Sequence, residues 1–151
     1  MINWDHYFIN IACEVAKKSK DPSSQVGCVI VTEDNRPISF GYNGFVSGCD
    51  EQYMTTERPM KYLLTIHAEM NALIFAEKSV VGSKAYVTHG PCDNCLKHLM
   101  QAGIKKIIYK DPGILKQRGT VEQKDAIKRL LKSKPIICRN IDGKDYIEDI
   151  D

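Results

Sequence analysis

Apolar residues between positions 3 and 18 fall at Trp4, Phe8, Ile11, Ala12, Val15 and Ala16, a spacing that predicts a helix with one buried face. Proline and small polar residues at 19–24 end it. The next run, Val26-Gly27-Cys28-Val29-Ile30-Val31, is continuously apolar and rich in β-branched residues, so it predicts a buried strand. Residues 33–36 read as a turn and 37–42 as the returning arm of a hairpin ending at Asn43-Gly44. From 45 to about 65 the periodicity is weak, with scattered glycine, proline and charge. A connection of that length inside a compact domain is usually functional or mobile, and an effector site or lid is the expectation.

Beyond it the pattern becomes regular. Helices are predicted over about 66–78, 93–102 and 121–132, alternating with strands over 85–88, 106–109 and 135–138, and Gly103 is placed to stop the second helix. An initial hairpin followed by helix–strand units predicts an α/β fold, a mixed sheet with helices on both faces. With 151 residues, 43% hydrophobic and 26% charged, the composition is that of one globular domain over 1–151. No run of about 18 apolar residues is present to span a bilayer. The opening Met1-Ile2-Asn3-Trp4-Asp5-His6 lacks a secretory pattern, so a cytoplasmic location is expected, the host cytoplasm if the source is viral. A formal net charge of +2 is too mild for a partner that is long nucleic acid, while a small anionic ligand suits it. Of the six cysteines, Cys92 and Cys95 form a Cys-x-x-Cys, and Cys13, Cys28, Cys49 and Cys138 are scattered. In a cytosolic chain this reads as one metal or redox pair plus ordinary thiols.

His67, Cys92 and Cys95 are the donors that zinc prefers. Cysteines three apart at a helix start share a face, and the helix N-terminus favours their thiolate form. Three protein ligands leave the fourth position open for water, whose pKa zinc lowers to about 7. A structural zinc would need a fourth ligand, for which His89 is the nearest candidate. Glu69 then serves as acid and base. Residues two apart on a regular helix face different ways, so His67 and Glu69 converge only if His67 lies in an irregular first turn, with Thr65 as the expected cap.

His67-Ala68-Glu69 with Pro91-Cys92-Asp93-Asn94-Cys95 matches the H-x-E…P-C-x-x-C signature of zinc deaminases. Residues 19–27, the turn Gly41-Tyr42-Asn43-Gly44, residues 67–73 and residues 101–106 further resemble the deoxycytidylate (dCMP) deaminase family. The resemblance implies a cytidine deaminase-like three-layer α/β/α sandwich around a five-stranded mixed sheet, and hydrolysis of dCMP to dUMP and ammonia, feeding thymidylate synthesis. In it Glu69 moves a proton from the attacking water to ring N3 and then to the departing amine. It also implies a homo-oligomer, commonly a hexamer, activated by dCTP and inhibited by dTTP with Mg2+. Some relatives carry a Cys- and His-rich insertion for a second zinc, but between Gly44 and His67 this chain offers only Cys49, so one catalytic zinc per subunit is expected.

Ser24, Asn43, Ala68 and Tyr109 are the expected substrate contacts, and Tyr42 and Gly44 the effector contacts. Asn43 either touches the sugar, as the resemblance implies, or only forms its turn. Ser23, Ser24 and Gln25 either donate to a phosphate or make a polar loop. Tyr109 stands at a strand end, where ligands gather in open α/β sheets. His89-Gly90 departs from the bulkier apolar residue common before Pro91, which bears on the shape of the base pocket. The basic residues Lys116 to Lys134 are an exposed face or a contact for an effector or a neighbouring subunit. The alternative activity is deamination of adenosine in transfer RNA or of a free base. A non-catalytic zinc-stabilised domain is the alternative class.

Overall fold

The computed structural model describes residues 1–151. Its first helix, α1, spans Trp4–Ala16, and Asn3 caps it by accepting the His6 N–H at 2.8 Å. The hairpin follows as β1 (Gly27–Val31) and β2 (Pro37–Tyr42). Then come α2 (Met60–Leu64), α3 (Ala68–Ile74), β3 (Lys84–His89), α4 (Asp93–Gln101), β4 (Lys106–Asp111), α5 (Gly113–Arg118), α6 (Val121–Ser133), β5 (Ile137–Asn140) and α7 (Tyr146–Asp149). The strands make one sheet in the order β2-β1-β3-β4-β5. Pairing is antiparallel from β2 through β1 to β3 and parallel from β3 through β4 to β5. This is the mixed five-stranded sheet that the hairpin and the later alternation predict.

Strand periodicity sorts the side chains into two layers. Val29, Val31, Tyr86 and Ile108 face α1, where Phe8, Ile9 and Ala12 cover them. Cys28, Ile30, Ala85, Val87, Ile107 and Tyr109 pack in the opposite layer with Ala68 and Ala72 of α3, Leu96 and Leu99 of α4, and Ile127 of α6. β1 is therefore buried on both faces, which is why its sequence is apolar without alternation. Each of these buried leucines and isoleucines contributes about 1.5–3 kcal/mol, so α3 and α4 are fixed on the sheet by their apolar faces. Across the first layer Asp5 joins α1 to three strands, accepting from Tyr86 Oη at 2.6 Å, Arg139 at 3.0 Å and pairing with Lys106 at 3.5 Å. No helix is long and apolar enough to cross a membrane.

Gly103 stops α4 as expected. Its φ of +95° is open to glycine, and the Gly103 N–H bonds Met100 O while the Ile104 N–H bonds Leu99 O, closing a Schellman motif. Other boundaries move. The helix expected over 66–78 occupies only Ala68–Ile74, and the last strand begins two residues later than expected. Pro135 has no N–H for a ladder, and pairing starts where the Ile137 N–H reaches Lys105 O.

The segment 45–65, expected to be irregular, holds a 3-10 turn, Glu51–Tyr53, and α2. α2 is inverted relative to an ordinary amphipathic helix. Its buried residue is Lys61, while Met60, Tyr62 and Leu63 are exposed. Hydrophobic periodicity cannot find such a helix. Lys61 Nζ lies 2.9 Å from Asp21 and donates to Ser23 Oγ at 2.8 Å, with both charged side chains more than nine-tenths buried. Burial alone would raise the Asp21 carboxyl, but the Lys61 hydrogen bond and the Ser24 and Ser23 amides outweigh it and hold the carboxyl below its ordinary value. The contribution of Asp21 to stability is thus complete above the unfolded aspartate value of about 3.9 and is lost as pH falls through the lower folded value.

Lys61→Ala is expected to destabilise the fold by about 3–5 kcal/mol at neutral pH, because it leaves a buried carboxylate unpaired. Urea denaturation checks this. A shift below 1 kcal/mol would show that water replaces the ammonium and that α2 is not fastened by the pair.

Candidate active site

α3 and α4 each begin with a metal-type donor in the cap position. His67 is the N-cap of α3, with φ −69° and ψ 154°, and Cys92 is the N-cap of α4, with φ −70° and ψ 171°. His67 is thus extended backbone outside the helix and Glu69 lies in the first helical turn, which removes the two-residue conflict of a regular helix. The expected capping role of Thr65 is not found. Thr65 ends α2, and the histidine itself starts α3 without a side-chain cap bond. The His67 imidazole is committed to the sulfurs instead.

His67 Nδ1 lies 3.3 Å from Cys95 Sγ and 3.6 Å from Cys92 Sγ, and the donor atoms of all three residues fall within 4.8 Å of one another. A tetrahedral zinc with bonds of about 2.3 Å to sulfur and about 2.0 Å to nitrogen has nitrogen–sulfur edges of roughly 3.5 Å. The donor set and its spacing fit that ion. His89 is not in the cluster; its Nδ1 sits 2.8 Å from Thr88 Oγ1.

The electrostatics are those of an anion-holding corner, exposed at His67, half-buried at Cys92 and closed at Cys95. The Cys92 sulfur is pulled well below an ordinary thiol by the Cys95 thiol, with His67 and the Cys95 N–H adding to the effect against desolvation. Cys95 is correspondingly raised, since it shares a charge site with Cys92. The Cys92 hydrogen bond raises His67 above its usual value against desolvation. Both helix N-termini point their partial positive charge here, which favours thiolate. Glu69 is 4% exposed, and burial, with the Cys92 charge adding, pushes its carboxyl up to about 7, against the lowering effects of His67 and the Cys95 hydrogen bond. A carboxyl poised near neutrality can both take and give a proton.

Gly41 sets how closely α3 approaches. A Cβ there would lie 2.2 Å from Ala68 O and 2.4 Å from Ala72 N, so only glycine lets β2 carry α3 at this distance. Ala68 is fully buried, leaving its backbone in the first turn of α3 as its means of meeting a ligand. Asn43 is buried and ties the turn after β2 to the loop before β1: its Oδ1 accepts the Val26 N–H and its Nδ2 donates to Ser24 O, both at 2.9 Å. In the 19–25 loop, Ser23 Oγ is engaged by Asp21 and Lys61, and Gln25 Nε2 donates to Ser19 O. Ser24 and His89 line a polar cavity with this loop. Tyr42, Asn43 and Gly44 line an adjoining cavity of about 210 Å³ with Lys18, Glu51 and, shared with the first, Lys20 and Asp21.

Tyr109 is a correction. It is fully buried, and its hydroxyl donates to Asp149 Oδ2 at 2.7 Å. The strand end expected to line a site is covered by α7, a four-residue turn too short to leave a periodic signal. Lys61 and Asp149 were also missed, each being a polar residue whose burial depends on a distant partner.

The model of the cytidine and deoxycytidylate deaminase zinc-binding region matches residues 2–111. The chain is 46% identical over 104 residues to an uncharacterized deaminase in the luxG 3′ region of Aliivibrio fischeri, covering 69% of this chain and 70% of that one. It is 40% identical over 115 residues to deoxycytidylate deaminase of Mus musculus, covering 72% of this chain and 65% of that one. This chain thus spans just under two thirds of the mouse enzyme. The dCMP deaminase of cyanophage S-TIM5, solved in apo form and in complex with dCMP and dUMP, superposes with a TM-score of 0.68 and 25% identity. The apo comparison covers 91% of this chain and 96% of that one.

Proposed function

The chain belongs to the cytidine and deoxycytidylate deaminase family, and on that premise we propose that it hydrolyses dCMP to dUMP and ammonia. The observation that carries the reading is the meeting of His67, Cys92 and Cys95 around one point with the buried Glu69 carboxyl beside them. The likeness to deoxycytidylate deaminases, including one solved with dCMP and dUMP, supports the substrate.

His67, Cys92 and Cys95 hold zinc, one per subunit, and when bound it supplies the Lewis acidity that makes a water nucleophilic near neutral pH. Glu69 takes the proton of the attacking water and delivers it to N3 of the cytosine ring. Attack makes C4 tetrahedral; Glu69, emptied by the delivery to N3, then takes the proton of the new C4 hydroxyl and passes it to the exocyclic nitrogen, so that the C4–N bond breaks, the C4 carbonyl forms and ammonia leaves. Burial keeps the carboxyl away from bulk water, so that the proton it takes passes to the substrate rather than to solvent. Ser24 meets the phosphate from the loop that Asn43 ties to the turn after β2, Asn43 meets the sugar, and the Ala68 backbone meets the base.

Regulation by dCTP and dTTP, with Mg2+ on the triphosphate, is assigned to the cavity of Tyr42 and Gly44, which is also lined by Lys18, Asp21 and the ion pair of Lys20 with Glu51. A homo-oligomer, a hexamer by resemblance, is supported by the exposed Tyr62 and Leu63 of α2 and Ile74 and Phe75 at the end of α3.

An ammonia-release assay comparing dCMP, deoxycytidine, cytosine and an adenosine-containing RNA stem-loop is expected to show dCMP as the preferred substrate, with rates that respond to dCTP and dTTP. Turnover of the RNA alone would replace the assigned substrate, and a flat response to both triphosphates would remove the effector site.

A further inference from the structure

The geometry points to Tyr146 as the residue that positions the Cys92 arm of the site. Its ring fills the space that a side chain at position 90 would occupy: a Cβ on Gly90 would lie 2.6 Å from Tyr146 Cε1 and 2.8 Å from both Cζ and Oη. From there Tyr146 Oη donates to Pro91 O at 2.7 Å. That carbonyl belongs to the peptide leading into Cys92.

The consequence follows from the backbone. Proline fixes φ of residue 91, so the rotation about its Cα–C bond is the soft dihedral of the residue that precedes the metal-type donor. A hydrogen bond to Pro91 O holds that rotation, and with it the direction in which the Cys92 sulfur enters the site. Tyr146 is itself fully buried and held from two sides. Its ring packs on Tyr109 at 4.8 Å with a 60° tilt. The Tyr109 hydroxyl bonds Asp149 Oδ2, one turn along the same α7.

The brace comes from outside the matched deaminase region, which ends at residue 111. α7 thus contributes to the site without contacting substrate, and Tyr146 is a positioning residue. Loss of a group that orients a metal ligand typically costs tenfold to a hundredfold in metal affinity or activity.

The test uses the full-length protein, zinc-loaded for kinetics and cobalt(II)-substituted for absorption spectra. It compares wild type with Tyr146→Phe, which removes only the hydroxyl, and Gly90→Ala, which displaces the ring from the other side. Both variants are expected to shift the cobalt d–d bands and to lose zinc to a chelator about tenfold more readily. For Tyr146→Phe, kcat on dCMP is expected to fall about tenfold with KM nearly unchanged. The kinetic arm rests on the proposed deamination and the spectral arm does not, so wild type inactive on dCMP with the bands still shifted would sink the substrate and leave the brace standing. Unaltered bands and zinc retention in both variants, even with a lowered melting temperature, would reduce Tyr146 to a core residue and overturn the inference.

Discussion

Glu69→Ala is expected to lower the rate of ammonia release from dCMP by about 10²–10⁴-fold, the usual worth of a positioned general acid–base, while the zinc content stays that of the native protein. The separation follows from where the residue sits. Glu69 is on the first turn of α3, next to the donor cluster but not a member of it. Glu69→Gln is the sharper variant, since it keeps the volume and a hydrogen-bonding group but cannot shuttle a proton. Activity within tenfold of wild type in either variant, with zinc bound, would end the assigned mechanism.

The same carboxyl bears on stability. Its folded value of about 7 lies above that of an unfolded glutamate, about 4.3. Between these values the folded chain binds more protons than the unfolded chain. The contribution of Glu69 to the stability of the zinc-stripped protein therefore falls as pH rises from about 4.3 to 7 and is level above. Glu69→Gln is expected to remove that slope, so that at pH 8 the stripped variant is more stable than stripped wild type, as denaturation at several pH values will show.

Removing zinc is expected to abolish turnover completely and reversibly. Two helix starts meet here, one offering an imidazole and the other two sulfurs, and a cation between them ties α3 to α4 across the end of the sheet. Without it Cys92 and Cys95 share one buried charge site. Chelation is therefore expected to lower the melting temperature as well as the rate. Free zinc at about 100 times its dissociation constant restores roughly 2.7 kcal/mol. Cys95→Ser, which replaces a fully buried sulfur by a smaller and harder donor, is expected to reproduce the loss without a chelator. Protein carrying less than a tenth of an equivalent of zinc and turning over dCMP at the native rate would contradict the role of the cluster.

The elements that bury an apolar stripe were legible from the chain alone. α1 shows helical spacing, and β1 is continuously apolar because both of its faces are covered. α2 was not legible, because it buries a lysine and exposes its apolar residues, and α7 was not, because four residues make barely one turn. The misplaced cap at Thr65 has a related cause. Propensity favours a threonine there, but His67 starts α3 while its ring serves the sulfurs.

The sequence by itself determined the order of the elements that bury an apolar stripe and the kinds of donor available, since both depend on local periodicity and on residue chemistry. The tertiary structure alone decided which side chains meet. Tyr109 became core, Asp21 found Lys61 forty residues away, and Tyr146 came to rest against Pro91. Such pairings depend on how layers stack and on what each buried polar group must find once water is excluded, and no window of neighbouring residues carries that information.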